Sequence, residues 1–229
     1  MEHCLAKFEP NSVKVLLASN SPRRKELIRL TGWPYRVIPA GVDETPLPNE
    51  PPDRYVSRLA ESKARAVAGK AEEGELVVAA DTTVADGDMI LGKPQDAIEA
   101  RKMLSALRGR VHQVYTALAI YDPAAGQLVT DLASTHVPMR AYSDQEIEAY
   151  IETGDPFDKA GSYAIQHPEF HPVDSLTGCY ANVVGLPLCH LVRSMRRFGV
   201  SPQGDLPAGC QSHLEYDCTV YSQVQEGAL

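Results

Sequence analysis

Apolar residues fall along the chain in two distinct rhythms, and the alternation between them predicts the fold class. Val13–Ser19 is a continuous apolar run closed by a serine, the pattern of a strand buried on both faces. Ser21 and Pro22 then read as the cap and first residue of a helix, with Leu27, Leu30 and Thr31 at helical spacing and Gly32 as its stop. Tyr35–Thr45 reads as a second strand ending in the acids Asp43 and Glu44. After the proline-rich PLPNEPPD loop, a helix over Pro52–Ala71 carries a stripe of Tyr55, Val56, Leu59, Ala60, Ala64 and Val67. Glu75–Asp86 returns to the buried-strand pattern, and Ala97–Leu107 to the helical one. VHQVYTALAIYD and QLVTDLASTHVPMRA flank the turn PAAG as a β-hairpin. A helix opens with the capping box Ser143/Glu146 and closes at Gly154, and a last amphipathic helix spans Leu186–Gly199.

Strands alternating with helices and followed by a hairpin predict an α/β (α+β) domain built on a mixed sheet, over residues 1–199. Beyond Gly199 the chain turns rich in Pro, Gly and Ser without periodicity, which predicts an irregular C-terminal extension over residues 200–229.

Composition narrows the function. The 229 residues carry a formal net charge of -8, which disfavours nucleic-acid or anionic-membrane partners; any anionic ligand must meet local positive charge. No apolar run approaches the ~18 residues that span a bilayer, and the N-terminal MEHCLAKFEP has no signal-peptide core, so a cytoplasmic protein is expected. Five cysteines, an odd number without a CxxC pair, argue against a secreted disulfide framework. Cys210, His213 and Cys218 are close enough in sequence for a metal site, with His3 or Cys4 as a fourth ligand, although the spacing fits no common zinc pattern.

Four places break the local rules, and chemistry concentrates where such rules fail. Arg23 and Arg24 put two cations at a helix N-terminus, which already carries partial positive charge; they are either solvated or facing an anion such as phosphate. Lys63 falls on the apolar stripe of its helix, either with its stem packed and its ammonium in water or pointing into a cleft. Asp81 follows LVVAA at the expected end of a core strand, where a carboxylate must be bonded, metal-bound or at the mouth of a site. Asp158 and Lys159 run into a Gly, Tyr and Gln segment with no amphipathic logic, and LGKP with Lys93 is a loop of the same kind. Cations beside carboxylates able to hold a hard metal are the tools of phosphoanhydride chemistry. The chain has neither a P-loop nor a GxGxxG fingerprint.

LASNSPRRKEL, VDET, RLAESKA, AADTTV, LGKP, DKAGSYAIQ and NVVGLPL stand in the order and spacing of the Maf proteins, a family of nucleoside triphosphate pyrophosphatases that this chain resembles over about Val13 to Phe198. The resemblance implies a Maf/Ham1-like fold with two lobes around a central cleft. It implies hydrolysis of a nucleoside triphosphate to monophosphate and pyrophosphate with a divalent cation, Mg²⁺ or Mn²⁺. By motif match, Ser19, Arg23, Arg24, Lys63 and Lys93 would line the phosphate side, Asp158 and Lys159 would join the substrate site, and Glu44 and Asp81 would hold metal, with Asp81 also the general base. Arg23, Thr82 and Gln166 match the specificity positions of the subgroup resembling dTTP/UTP pyrophosphatases. A Gln amide suits the acceptor–donor edge of a uracil-type base. Relatives are often homodimers. The segment HPEFHPVDSLTGCY departs from the Gly-rich stretch usual after that Gln, so the base preference is less closely bounded than the reaction. The alternative from another class is a nucleotide-binding regulator linked to cell division that uses the same cleft without catalysis.

Overall fold

A computed structural model describes residues 13–229. Its centre is one six-stranded sheet made of β1 (Lys14–Leu17), β2 (Tyr35–Val37), β3 (Glu75–Asp86), β4 (Met89–Leu91), β5 (Val111–Asp122) and β6 (Gln127–Pro138). The main order is β2-β1-β3-β5-β6, with β4 paired to β3 alongside it. β2, β1 and β3 run parallel, whereas β3, β5 and β6 are antiparallel, so the sheet is mixed as the alternation of patterns predicts. The 12-residue strands β3, β5 and β6 form its long spine.

The helices are α1 (Pro22–Arg29), α2 (Pro52–Ala68), α3 (Ala97–Leu107), α4 (Asp144–Glu152), α5 (Tyr180–Val184), α6 (Leu188–Met195), α7 (Leu206–Leu214) and α8 (Tyr221–Glu226). α2 lays Val56, Ala60, Ala64 and Val67 against Leu16, Val77, Ala79, Ala117 and Ala119 on one face of the sheet. The small alanines on the strands let the 17-residue helix approach closely. The opposite face divides into two cores. α1, α5 and α6 cover Val15, Leu17, Leu76, Val78, Leu118 and Ile120, while Val84, Val114 and Val137 pack with residues of α3 and α4. These cores form the two expected lobes.

Three expectations give way. β2 ends at Val37, so Glu44 lies on a loop instead of at a strand end; Pro39, Pro46 and Pro48 withhold the N–H groups that a longer strand needs. Asp81 is in the middle of β3, not at its end. The expected irregular extension holds α7 and α8, whose Leu206, Leu214 and Val224 are buried. Asp205 caps α7 by accepting from the Ala208 N–H at 3.1 Å, and Pro207 sits in its first turn, where a missing N–H costs nothing. Helices this short owe their stability to docking, which explains why no periodicity announced them.

Candidate active site

The chemistry gathers where β3 loses one neighbour before gaining another. β1 pairs with β3 up to Leu17–Val78, and β4 begins at Val84–Leu91. On that edge, Ala79–Thr83 has no strand partner among the described residues. Loops can therefore reach the sheet just beyond the carboxyl end of β1, where open α/β sheets collect ligands. A cleft of about 430 Å³ opens there. It brings together all the expected positions: Ser19, Arg23 and Arg24 after β1; Glu44 and Lys63; Asp81 and Thr82 on β3; and Lys93, Asp158, Lys159 and Gln166 from the other lobe.

Because strand residues alternate, Asp81 and Thr82 face opposite sides of the sheet. Asp81 faces α2. There the Lys63 ammonium donates to Asp81 Oδ1 at 2.5 Å and contacts Glu44 Oε1 at 2.6 Å. Lys63 is 9% exposed and Asp81 7% exposed, so its departure from the apolar stripe is explained by a buried ion pair rather than by snorkelling. Asp81 Oδ2 makes no hydrogen bond among the described residues. Burial lifts the Asp81 carboxyl above its ordinary range, with Lys63 and Arg24 pulling the other way. Two carboxylates converging on one ammonium supply hard oxygen donors, but no group of three His, Cys, Asp or Glu able to hold a metal occurs among the described residues. That donor set fits a hard divalent cation that takes its remaining oxygens from phosphate and water.

Thr82 faces the other way and joins a relay of neutral groups. The Arg24 guanidinium donates to Thr82 Oγ1 at 3.0 Å, to the Gly185 carbonyl at 2.8 Å and to Ser19 Oγ at 3.4 Å. Thr82 Oγ1 lies 2.9 Å from Thr116 Oγ1, and Thr116 donates to the Asn182 carbonyl at 3.0 Å. Asn182 Nδ2 donates in turn to the Val114 carbonyl and Thr135 Oγ1. Gly185 has φ +114°, and a Cβ there would come within 3.2 Å of Thr82 Oγ1, so the backbone can reach Arg24 only as glycine. The guanidinium held at Thr82 is that of Arg24; Arg23 lines the cleft without joining the relay. Desolvation lowers the Arg24 pKa, opposed mainly by Asp81.

The opposing wall is stitched by backbone. Gly161 donates its N–H to the Gly92 carbonyl at 3.0 Å, joining the DKAG and LGKP loops, and a Cβ on Gly161 would meet Val84 Cγ1 at 2.9 Å. Lys159, 8% exposed, donates to Asp155 Oδ1, the Asp155 carbonyl and Asp158 Oδ1 at 2.5–2.8 Å. Its three protons are thereby all used, so it pins this loop while lining the cleft. Lys93, Asp158 and Gln166 are exposed at the rim. The unusual segment after Gln166 is anchored by Phe170, stacked on Tyr150 at 4.3 Å, and by Arg140 donating to the Phe170 and His171 carbonyls. His167 Nδ1 accepts from the Phe170 N–H and so closes a turn.

Thr116, Asn182 and Gly185 escaped the sequence reading. Asn182 and Gly185 belong to the recognised NVVGLPL stretch, but a threonine inside a hairpin strand carries no local sign that it backs a site.

A mixed α/β sheet with cationic groups, paired carboxylates and a cleft of about 430 Å³ at a strand switch has the charge pattern that suits a phosphorylated ligand. The family model described as Maf-like protein matches residues 14–198, and the chain belongs to that family. Proteins named dTTP/UTP pyrophosphatase from Geobacter sp. (strain M21) and Citrifermentans bemidjiense are each 48% identical over 185 residues, covering 81% of this chain and 95% of theirs. The one from Pelotomaculum thermopropionicum is 43% identical over 186 residues, covering 81% of this chain and 97% of its own. Among solved structures, the Staphylococcus aureus Ham1 protein aligns at 16% identity and a TM-score of 0.41, over 56% of this chain and 72% of its own.

Proposed function

We propose that the protein hydrolyses dTTP and UTP to the monophosphate and pyrophosphate, a housecleaning activity acting in the cytoplasm. The observation that carries this reading is the Asp81–Lys63–Glu44 cluster, set in one cleft with the held guanidinium of Arg24. Names borne by relatives of near-complete coverage support the same substrate class.

Glu44 and Asp81 are the residues that would hold a divalent cation, which when bound would neutralise phosphate charge and acidify water. Arg24, fixed by three partners, presents a charge whose position is set before substrate arrives. Arg23 and the exposed Lys93 can follow the β- and γ-phosphates. Water attacks the α-phosphorus, the bond to the α–β bridging oxygen breaks, and Asp81 takes the proton. A carboxyl lifted above its ordinary pKa is a better base near neutrality than a solvated one. Thr82 and Gln166 sit on opposite walls of the cleft, where a uracil-type ring can meet the Gln amide.

The test is pyrophosphate release from a panel of nucleoside triphosphates with Mg²⁺ or Mn²⁺. Preference for dTTP and UTP is expected. Equal cleavage of purine nucleotides would refute the base assignment, and tight binding without hydrolysis would replace the enzyme with a nucleotide-binding regulator.

A further inference from the structure

Four cysteines far apart in sequence line one small cavity of about 20 Å³ where the C-terminal segment meets the domain. Cys179 immediately precedes α5 and Cys189 lies on α6, whereas Cys210 on α7 and Cys218 after it belong to the segment beyond Gly199. Among the described residues no set of three ligands able to hold a metal comes together, and His3 and Cys4 lie outside them. All four are free thiols.

One pair is set apart by the backbone around it. Tyr216 donates its hydroxyl toward the Leu176 and Gly178 carbonyls, both at 3.0 Å, and Thr219 Oγ1 donates to the Thr177 carbonyl at 3.1 Å. Residues on both sides of Cys218 are thus tied to the three residues before Cys179. The Cys218 N–H is fixed by Gln211 Oε1 at 2.9 Å. We propose that Cys179 and Cys218 form a disulfide on exposure to peroxide, a covalent clasp between the C-terminal segment and the domain.

The chemistry divides between the two thiols. Cys218, partly exposed like Cys179 and Cys210, takes the first step. Its sulfur attacks one oxygen of hydrogen peroxide, the O–O bond breaks, and the thiol proton leaves with the departing hydroxide as water. Desolvation raises the Cys179 thiol well above its ordinary pKa, so it is the poorer first nucleophile of the two. The Cys179 sulfur then attacks the Cys218 sulfur, the S–O bond breaks, and a second water carries off the Cys179 proton. The two thiols supply the two electrons that reduce one peroxide. Burial pushes the Cys189 and Cys210 thiols up to about 11 and about 12, which disfavours their thiolates. The clasp would anchor the start of α5, the helix that leads to the Gly185 carbonyl under Arg24.

The experiment does not depend on the proposed activity. The reduced full-length chain is treated with stoichiometric hydrogen peroxide, quenched, alkylated in denaturant and analysed by peptide mass spectrometry. Two of the five cysteines should escape alkylation and appear as a Cys179–Cys218 cross-linked peptide that a reductant abolishes. Cys218→Ser should leave every remaining thiol alkylated. A cross-link joining any other pair, two thiols lost from Cys218→Ser, or five alkylated thiols after peroxide would overturn the proposal.

Discussion

Asp81 and Thr82 are consecutive residues, yet the two sides of β3 they face are built by opposite means. On the α2 side, three charged groups meet: one ammonium held between two carboxylates, with one Asp81 oxygen left unbonded. On the other side, Arg24 ends a chain of hydroxyl, amide and backbone partners that continues to Thr135 on β6. The first arrangement is held by charge and leaves capacity over for a ligand. The second consumes its hydrogen-bonding capacity internally and serves to keep one guanidinium in place. A site that must exchange protons and recognise phosphate benefits from keeping these tasks on separate faces of one strand.

The comparison is broken most severely at Asp81. Asp81→Asn should lower pyrophosphate release by about 10²–10⁴-fold while circular dichroism stays unchanged. A near-native rate would remove Asp81 from its role as base. Lys63→Met should come next: with the ammonium gone, Asp81 is left buried without its partner, and urea unfolding should show a loss of about 3 kcal/mol. Added Mn²⁺ should recover part of that loss if the carboxylates bind it. An unchanged midpoint would show that the pair contributes nothing net.

On the neutral side, Thr116→Val removes the middle of the relay. It should cost about 1–2 kcal/mol in the same unfolding assay, with no recovery on adding Mn²⁺. Recovery equal to that of Lys63→Met would erase the distinction between the faces. A pH-dependent effect concerns His112, on the same face of β5 as Thr116 and 2.8 Å from the Tyr163 hydroxyl at the cleft. Burial lowers its pKa from 6.5 to about 4, so the unfolded chain binds more protons across that interval. Its contribution to stability is full above pH 6.5 and is lost as pH falls toward 4. His112→Asn should flatten the acid limb of a stability–pH curve over that window, though His190, also lowered to about 4, keeps part of the slope. An unaltered limb would place the acid sensitivity elsewhere.

Much of this was legible in the sequence because local rules were broken conspicuously. A lysine on an apolar stripe, a carboxylate after five apolar or small residues and two arginines opening a helix each marked a residue that reaches the cleft. β3 and α3 match their expected bounds because long, strongly patterned segments leave few alternatives. The relay behind Thr82 was invisible, since Thr116 is 34 residues away and is brought opposite Thr82 only by antiparallel register. The choice between Arg23 and Arg24 was equally closed, because it turns on the Gly185 carbonyl, 161 residues distant from Arg24. Nor does the sequence reveal that Asp155 and Asp158 fold back onto the Lys159 ammonium.

The central claim is cleavage between the α- and β-phosphates, and phosphorus NMR of dTTP incubated with the protein and Mg²⁺ tests it most directly. The account predicts the resonances of dTMP and pyrophosphate growing in equal amounts, without inorganic phosphate as the primary product. Accumulation of dTDP and inorganic phosphate would contradict it.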